Sequence, residues 1–189
     1  MGRRHLVAVV GDGSATAGDP AWVAAEELGE RLVDAGFRVM TGGLGGVMEA
    51  ACRGARRSRA YRPGDTVGVL PDDDPWAAND FVDVALPTGL GHLRNGLVAR
   101  ADALVAVGGG AGTLSEMALA WVLRRLVVAL RVEGWSGRLA GAAVDPRPRF
   151  PAIPDDRVFA AATAHEAAAI VTARLPAYLA ARGGRPLGS

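Results

Sequence analysis

Short apolar runs recur along this chain, and stretches with helical spacing lie between them. His5 to Gly11 (HLVAVVG), Phe37 to Thr41, Thr66 to Leu70, Val82 to Leu86, Ala103 to Val107 and Val127 to Leu130 read as strands. Val158 to Ala162 reads as a last edge strand. Runs that are apolar at successive positions, not alternate ones, suit strands buried on both faces. Asp19-Pro20 opens a helix, as N-cap and first-turn proline. Val23, Ala24, Leu28, Leu32 and Val33 form its apolar face, and Gly36 ends it. Further helices are predicted over Val47–Ser58, Gly91–Arg100 and Ala164–Ala181, and one starts near Thr113 with its apolar positions in Met117–Leu123. Strands alternating with helices give an α/β fold, a doubly wound, Rossmann-like parallel sheet. We expect one domain over residues 1–182, a long irregular connection or flap over Arg131–Pro154, and a disordered tail over 183–189.

The glycine-rich turns all follow strands. Gly11-Asp12-Gly13-Ser14, Gly42–Gly46 and Gly108–Thr113 should converge at the C-terminal edge of the sheet, where open α/β sheets bind ligands. The third turn, Gly108-Gly109-Gly110-Ala111-Gly112-Thr113-Leu114-Ser115-Glu116, carries the most chemistry. Its glycines let backbone approach a ligand, and the helix it opens offers free N–H groups and a positive dipole end to a phosphate. Glu116 lies one turn in and leans back toward that end. A carboxylate repels phosphate, so its natural target is whatever carries the phosphate. Thr113-x-x-Glu116 also has capping-box spacing, as Thr163-x-x-Glu166 does, but a cap needs no glycine run before it. Arg94, at the start of a helix, opposes the dipole there. Either it has an anionic partner (Glu116, Asp102 or a ligand phosphate) or it points to water. His92 is a general acid–base or a helix-cap donor. Gly11-Asp12-Gly13 is no dinucleotide fingerprint, since Thr16 stands where the third glycine belongs.

Composition narrows the chemistry. The chain has 189 residues, half of them apolar, and a net charge of +1, which gives no general pull toward nucleic acid or anionic membrane. All 21 basic residues are arginine. Without lysine there is no pyridoxal-phosphate Schiff base and no Walker A loop, so a phosphate must be held by backbone N–H groups, hydroxyls or arginine. The single cysteine, Cys52, cannot form an internal disulfide, which suits a reducing compartment. No secretory h-region follows Met1 and no apolar run reaches membrane-spanning length, so we expect a cytoplasmic protein with no membrane contact. Arg53, Arg56, Arg57, Arg59 and Arg62 lack interleaved aromatics apart from Tyr61; they read as a solvated helix end, not a nucleic-acid surface. Asp72-Asp73-Asp74 reads as a cap on the turn at Pro75-Trp76 rather than a magnesium site. No zinc spacing is present, and neither metal nor cofactor is expected. Met48, Met117 and Trp121 read as core.

Three segments, in order, resemble the LONELY GUY (LOG) superfamily, whose members were long mislabelled lysine decarboxylases. They are Gly42-Gly43-x-Gly45-Gly46-Val-Met-Glu, then Arg94, then Gly109-Gly110-x-Gly112-Thr113-x-x-Glu116. The resemblance spans about Val7 to Leu130. It implies a nucleoside 5′-monophosphate phosphoribohydrolase that releases a free base and ribose 5-phosphate, with Arg94 and Glu116 as the catalytic pair. It also implies that Gly109, Gly110, Gly112 and Thr113 hold the 5′-phosphate. The base would then lie toward Gly11, Ser14, Gly42, Gly43, Gly45 and Gly46. A carboxylate at Glu116 would stabilise positive charge on the ribose, as in glycoside hydrolysis. Arg94-Asn95 and Gly108-Gly109-Gly110 replace the Arg-Lys and Pro-Gly-Gly of the cytokinin-activating branch. With Pro87–Gly91 and Val67–Pro71 they look closer to a second branch, which includes molybdenum-cofactor carrier proteins. The alternative is therefore a non-catalytic carrier of a phosphorylated ligand. Family members are usually homo-oligomers, so the partners implied are a nucleotide-like small molecule and further copies of the chain.

Overall fold

A computed structural model describes residues 4–183. Of the tail expected over 183–189, only Gly183 is among the described residues. Seven strands form one all-parallel sheet: β1 Leu6–Gly11, β2 Arg38–Thr41, β3 Thr66–Leu70, β4 Val84–Pro87, β5 Ala103–Val107, β6 Leu126–Leu130 and β7 Phe159–Ala161. Their order is β4-β3-β2-β1-β5-β6-β7. The helices are α1 Pro20–Asp34, α2 Val47–Arg57, α3 Asn95–Val98, α4 Ala111–Val122, α5 Trp135–Leu139 and α6 Ala164–Ala181.

The unbroken apolar runs place a core on each face, because successive side chains leave a strand on opposite sides. Val7 and Val9, Val105 and Val107, and Val128 and Leu130 face one way and pack with α1, α2 and α6. Ala8 and Val10, Leu104 and Ala106, and Val127 and Ala129 face the other way and pack with Met117, Ala120 and Trp121 of α4. Helices α1 and α2 meet closely because glycines stand at the crossing: a Cβ on Gly29 would lie 2.0 Å from the Ala51 carbonyl oxygen, and one on Gly54 1.8 Å from that of Glu26.

Several boundaries differ from the sequence reading. Val23 is exposed and Trp22 and Ala25 take its place on the buried face of α1. The fourth strand starts two residues late because the Val82 N–H closes a turn on the Asn79 carbonyl; the Asp83 carboxylate accepts the N–H groups of Gly64 and Thr66 and the Tyr61 hydroxyl. The helix expected over Gly91–Arg100 is a 3₁₀ turn, Gly91–Arg94, followed by the single turn α3; Gly91, at φ +52°, cannot join an α-helix. The expected flap contains α5. The arginine cluster is largely paired: Arg53 and Arg57 with Glu26, and Arg56 with Asp83. Asp74 accepts the Trp76 N–H, so the acidic run caps its turn.

Candidate functional site

β1 is where the winding reverses, with β2 on one side and β5 on the other. In doubly wound sheets the connections leaving such a pair diverge and open a crevice beyond the strand ends. Gly11 ends β1 in register with Val107 at the end of β5. A Cβ on Gly11 would lie 2.1 Å from the Val107 carbonyl oxygen, so no side chain fits at the switch point. Beyond it lies a cleft of about 270 Å³ lined by Gly11, Gly13, Gly42, Met48, His92, Arg94, Asn95, Gly110, Gly112, Thr113 and Glu116 above Val10.

One wall is the start of α4. Its N-cap is Gly110, so Thr113 is not a cap and the Thr113–Glu116 capping box does not form. Thr113 instead donates its hydroxyl to the Gly11 carbonyl, 3.1 Å away. Among the described residues no side chain caps this N-terminus, and a Cβ on Gly110 or Gly112 would meet only open space. The first-turn N–H groups and the dipole are left to the cleft. At α6 the same spacing does cap: Thr163 Oγ1 accepts the Glu166 N–H and Glu166 accepts that of Ala162.

The other wall carries the charges. Arg94 and Glu116 are 8% and 6% exposed, so Arg94 is not a surface arginine. Arg94 Nη1 donates to Glu116 Oε1 at 3.1 Å and to Asn95 Oδ1 at 2.8 Å, and Nη2 reaches toward the Gly42 carbonyl at 3.5 Å. Its Nε is buried with no partner among the described residues. Asn95 Nδ2 donates to Ser115 Oγ at 2.8 Å, and Ser115 donates to the Gly112 carbonyl. Burial pushes the Glu116 carboxyl up to about 7, against the opposing pull of Arg94. At neutral pH the group is therefore poised between its two forms.

The remaining sequence-predicted residues fall outside the cleft lining. Ser14 is exposed and donates to Asp12. Gly43 sits under Leu70, and Gly46 lies against the Asp12–Gly13 backbone. Gly45 is half-buried beside Gly13 and Glu49. Gly109 lies beneath Thr113, where a Cβ would overlap the hydroxyl. The pattern missed three contributors. Met48 is half-buried and lines the cleft instead of joining the core. Asn95 is buried beside Arg94. A latch from beyond β6 also holds the glycine loop: Ser136 Oγ accepts the Gly108 N–H at 2.6 Å and donates to the Leu130 carbonyl, while the N–H groups of Trp135 and Ser136 bond the carbonyls of Gly109 and Gly108. Gly134, at φ +117°, makes room, since a Cβ there would lie 2.7 Å from the Gly108–Gly109 backbone. Its only trace in sequence is Gly134-Trp135-Ser136, which has no periodicity.

Cys52 is buried beside Thr41, and burial pushes its thiol up to about 12. Among the described residues no group of His, Cys, Asp and Glu side chains is gathered to hold a metal ion, and no helix is long and apolar enough to cross a membrane.

A family model described as the SLOG cluster4 family matches residues 4–150, which include every residue lining the cleft. The chain belongs to the SLOG cluster4 family. An uncharacterized protein of Archaeoglobus fulgidus is 40% identical over 108 residues, 57% of this chain and 68% of its own. Solved structures agree with the family and the fold. The molybdenum cofactor binding protein of Rippkaea orientalis is 30% identical with a TM-score of 0.73, covering 90% of this chain and 97% of its own. The molybdenum cofactor carrier protein of Chlamydomonas reinhardtii is 33% identical with a TM-score of 0.72, covering 93% and 99%. These neighbours place this SLOG chain beside the carrier branch that the glycine and arginine motifs resemble.

Proposed function

We propose that the cleft between β1 and β5 carries a small phosphorylated molecule of the molybdenum-cofactor type and does not turn it over. One observation carries this reading: a buried arginine, Arg94, with an unpartnered Nε stands across from the uncapped N-terminus of α4. Charge-assisted hydrogen bonds to such an anion contribute about 1.5–3 kcal/mol each. Gly110, Gly112 and Thr113 hold the phosphate through backbone N–H groups, Arg94 contacts it from the side, and Gly11, Gly42 and Met48 receive the ring system. The solved neighbours named for molybdenum cofactor support this choice of cargo. The same proposal takes the chain as one folding unit over residues 1–182, in the cytoplasm, and as a homo-oligomer. Leu93, Leu97, Leu119 and Val122, exposed on and beside α3 and α4, are the surface a second copy would cover.

The test is co-purification and equilibrium binding of molybdenum cofactor with wild type, Arg94→Ala and Glu116→Gln. Retention by wild type and Glu116→Gln, and loss in Arg94→Ala, is the expected result.

Glu116 favours a second reading. A carboxyl held near neutrality against an arginine suits a residue that stabilises or exchanges charge at a ribose, the chemistry of a phosphoribohydrolase. Wild type would then release free base and ribose 5-phosphate from AMP, GMP, CMP, UMP, IMP or isopentenyl-AMP, and Glu116→Gln would not. Release that depends on Glu116 would replace the carrier reading.

A further inference from the structure

Arg94 serves two acceptors from one nitrogen. Nη1 serves both the Asn95 amide oxygen, at 2.8 Å, and the Glu116 carboxylate, at 3.1 Å. The shorter bond goes to the neutral partner. Asn95 is itself fixed from the far side, because its amide nitrogen donates to Ser115 and reaches toward the Gly112 carbonyl on α4. The guanidinium is thus held short of a two-pronged grip on Glu116, and its Nε is left without a partner. A carboxylate held by one guanidinium N–H in place of two is easily protonated when a second anion arrives.

Few other charges bear on this carboxyl. Of the residues lining the cleft only Arg94, Glu116 and His92 can carry charge. The strands packed against α4, β1, β5 and β6, are apolar throughout. On α5, Arg138 lies over the Trp135 ring. Met48 is the α2 side chain in the cleft.

We propose that Asn95 is a positioning residue that holds Arg94 partly off Glu116, so that an anion entering the cleft takes over the guanidinium and draws a proton onto the Glu116 carboxyl. The inference rests on the cleft being an anion site, as in the proposed function. No bond other than O–H is made: solvent supplies the proton on binding and receives it on release. In the empty cleft the carboxyl ionises around pH 7. Above that pH an anion must bring a proton with it, and affinity falls by up to about tenfold per pH unit. Ligand is accordingly held on the acid side and released on the alkaline side.

Sulfate is a suitable probe, because it stays doubly charged from about pH 5.5 to 9 whereas phosphate does not. Its affinity would be measured across that range for wild type, Glu116→Gln, Asn95→Ala and His92→Gln. Wild type and His92→Gln are expected to lose affinity above pH 7, and Glu116→Gln to show a flat profile. In Asn95→Ala, or Asn95→Ser should that variant not fold, Arg94 is free to close on Glu116, so the fall begins at lower pH. A merely structural role for Asn95 would weaken binding equally at every pH without moving the midpoint, and that result would overturn its assignment. A flat wild-type profile, or a fall that disappears in His92→Gln, would overturn the proton linkage and leave the anion site standing. No sulfate binding by any folded protein would remove the anion site, and the proposed function with it.

Discussion

The hydroxyl of Thr113 donates to the carbonyl of Gly11, 3.1 Å away, and so joins the first turn of α4 to the end of β1. The bond spans the switch point, and the hydroxyl is aimed at protein rather than at a cap. Thr113→Val keeps the shape and removes the donor. It should destabilise the fold by about 1–2 kcal/mol and weaken anion binding by more than that loss alone explains. Urea unfolding alongside sulfate titration separates the two effects.

Ser136 is wholly buried and serves two backbone groups, the Gly108 N–H and the Leu130 carbonyl. Ser136→Ala strands the Gly108 N–H, while the Leu130 carbonyl keeps the Val132 N–H. The expected cost is about 1–3 kcal/mol of unfolding free energy. The Gly108 N–H should also lose most of its protection in hydrogen exchange, while amides in β1 and β2 keep theirs.

The seam between α1 and α2 admits no extra methyl group. Alanine in place of Gly54 puts a Cβ 1.8 Å from the Glu26 carbonyl oxygen, and two helix backbones cannot yield as a flexible side chain can. Despite the better helix propensity of alanine, Gly54→Ala should lower stability by about 1–3 kcal/mol or more. A raised urea midpoint would contradict the seam.

Glu116 gives stability a pH dependence of defined sign. Its carboxyl ionises near 4.5 when unfolded and near 7 when folded. Between those values the native state holds the extra proton, so stability falls as pH rises through that window and levels off above it. The full effect is on the order of 3 kcal/mol. The stability difference between wild type and Glu116→Gln, followed from pH 4 to 8, should therefore move in favour of the glutamine variant and then become constant.

The strands were legible because burial on both faces leaves unbroken apolar runs: Thr66–Leu70 and Ala103–Val107 match the predicted bounds residue for residue, as does the helix Ala164–Ala181. The segment around Arg94 was not, since its geometry serves a buried guanidinium and not an amphipathic period. Of the site, the convergence of the loops at Gly11, Gly42 and Gly110 could be read from glycines at strand ends, whereas the pattern left Arg94 between an anionic partner and water. The Thr113 hydroxyl could not be placed, because Thr-x-x-Glu caps one helix here and bridges to another strand at the next; only the position of the N-cap, Gly110 against Thr163, separates them. The latch at Ser136 was hidden because a single buried hydroxyl leaves no repeat in sequence.

That latch also bears on synthesis. A chain emerging from the ribosome as far as Val122 already contains every residue that lines the cleft. It does not yet contain Ser136, the residue that ties down Gly108, or Gly134, which lets the chain turn close enough to do so. Domains fold as units, and during synthesis this one passes through a stage at which its cleft-lining residues are all present but the anchor of the glycine loop is not. The cleft can therefore have all its lining residues and still lack the support of its glycine loop until β6 and α5 have been added.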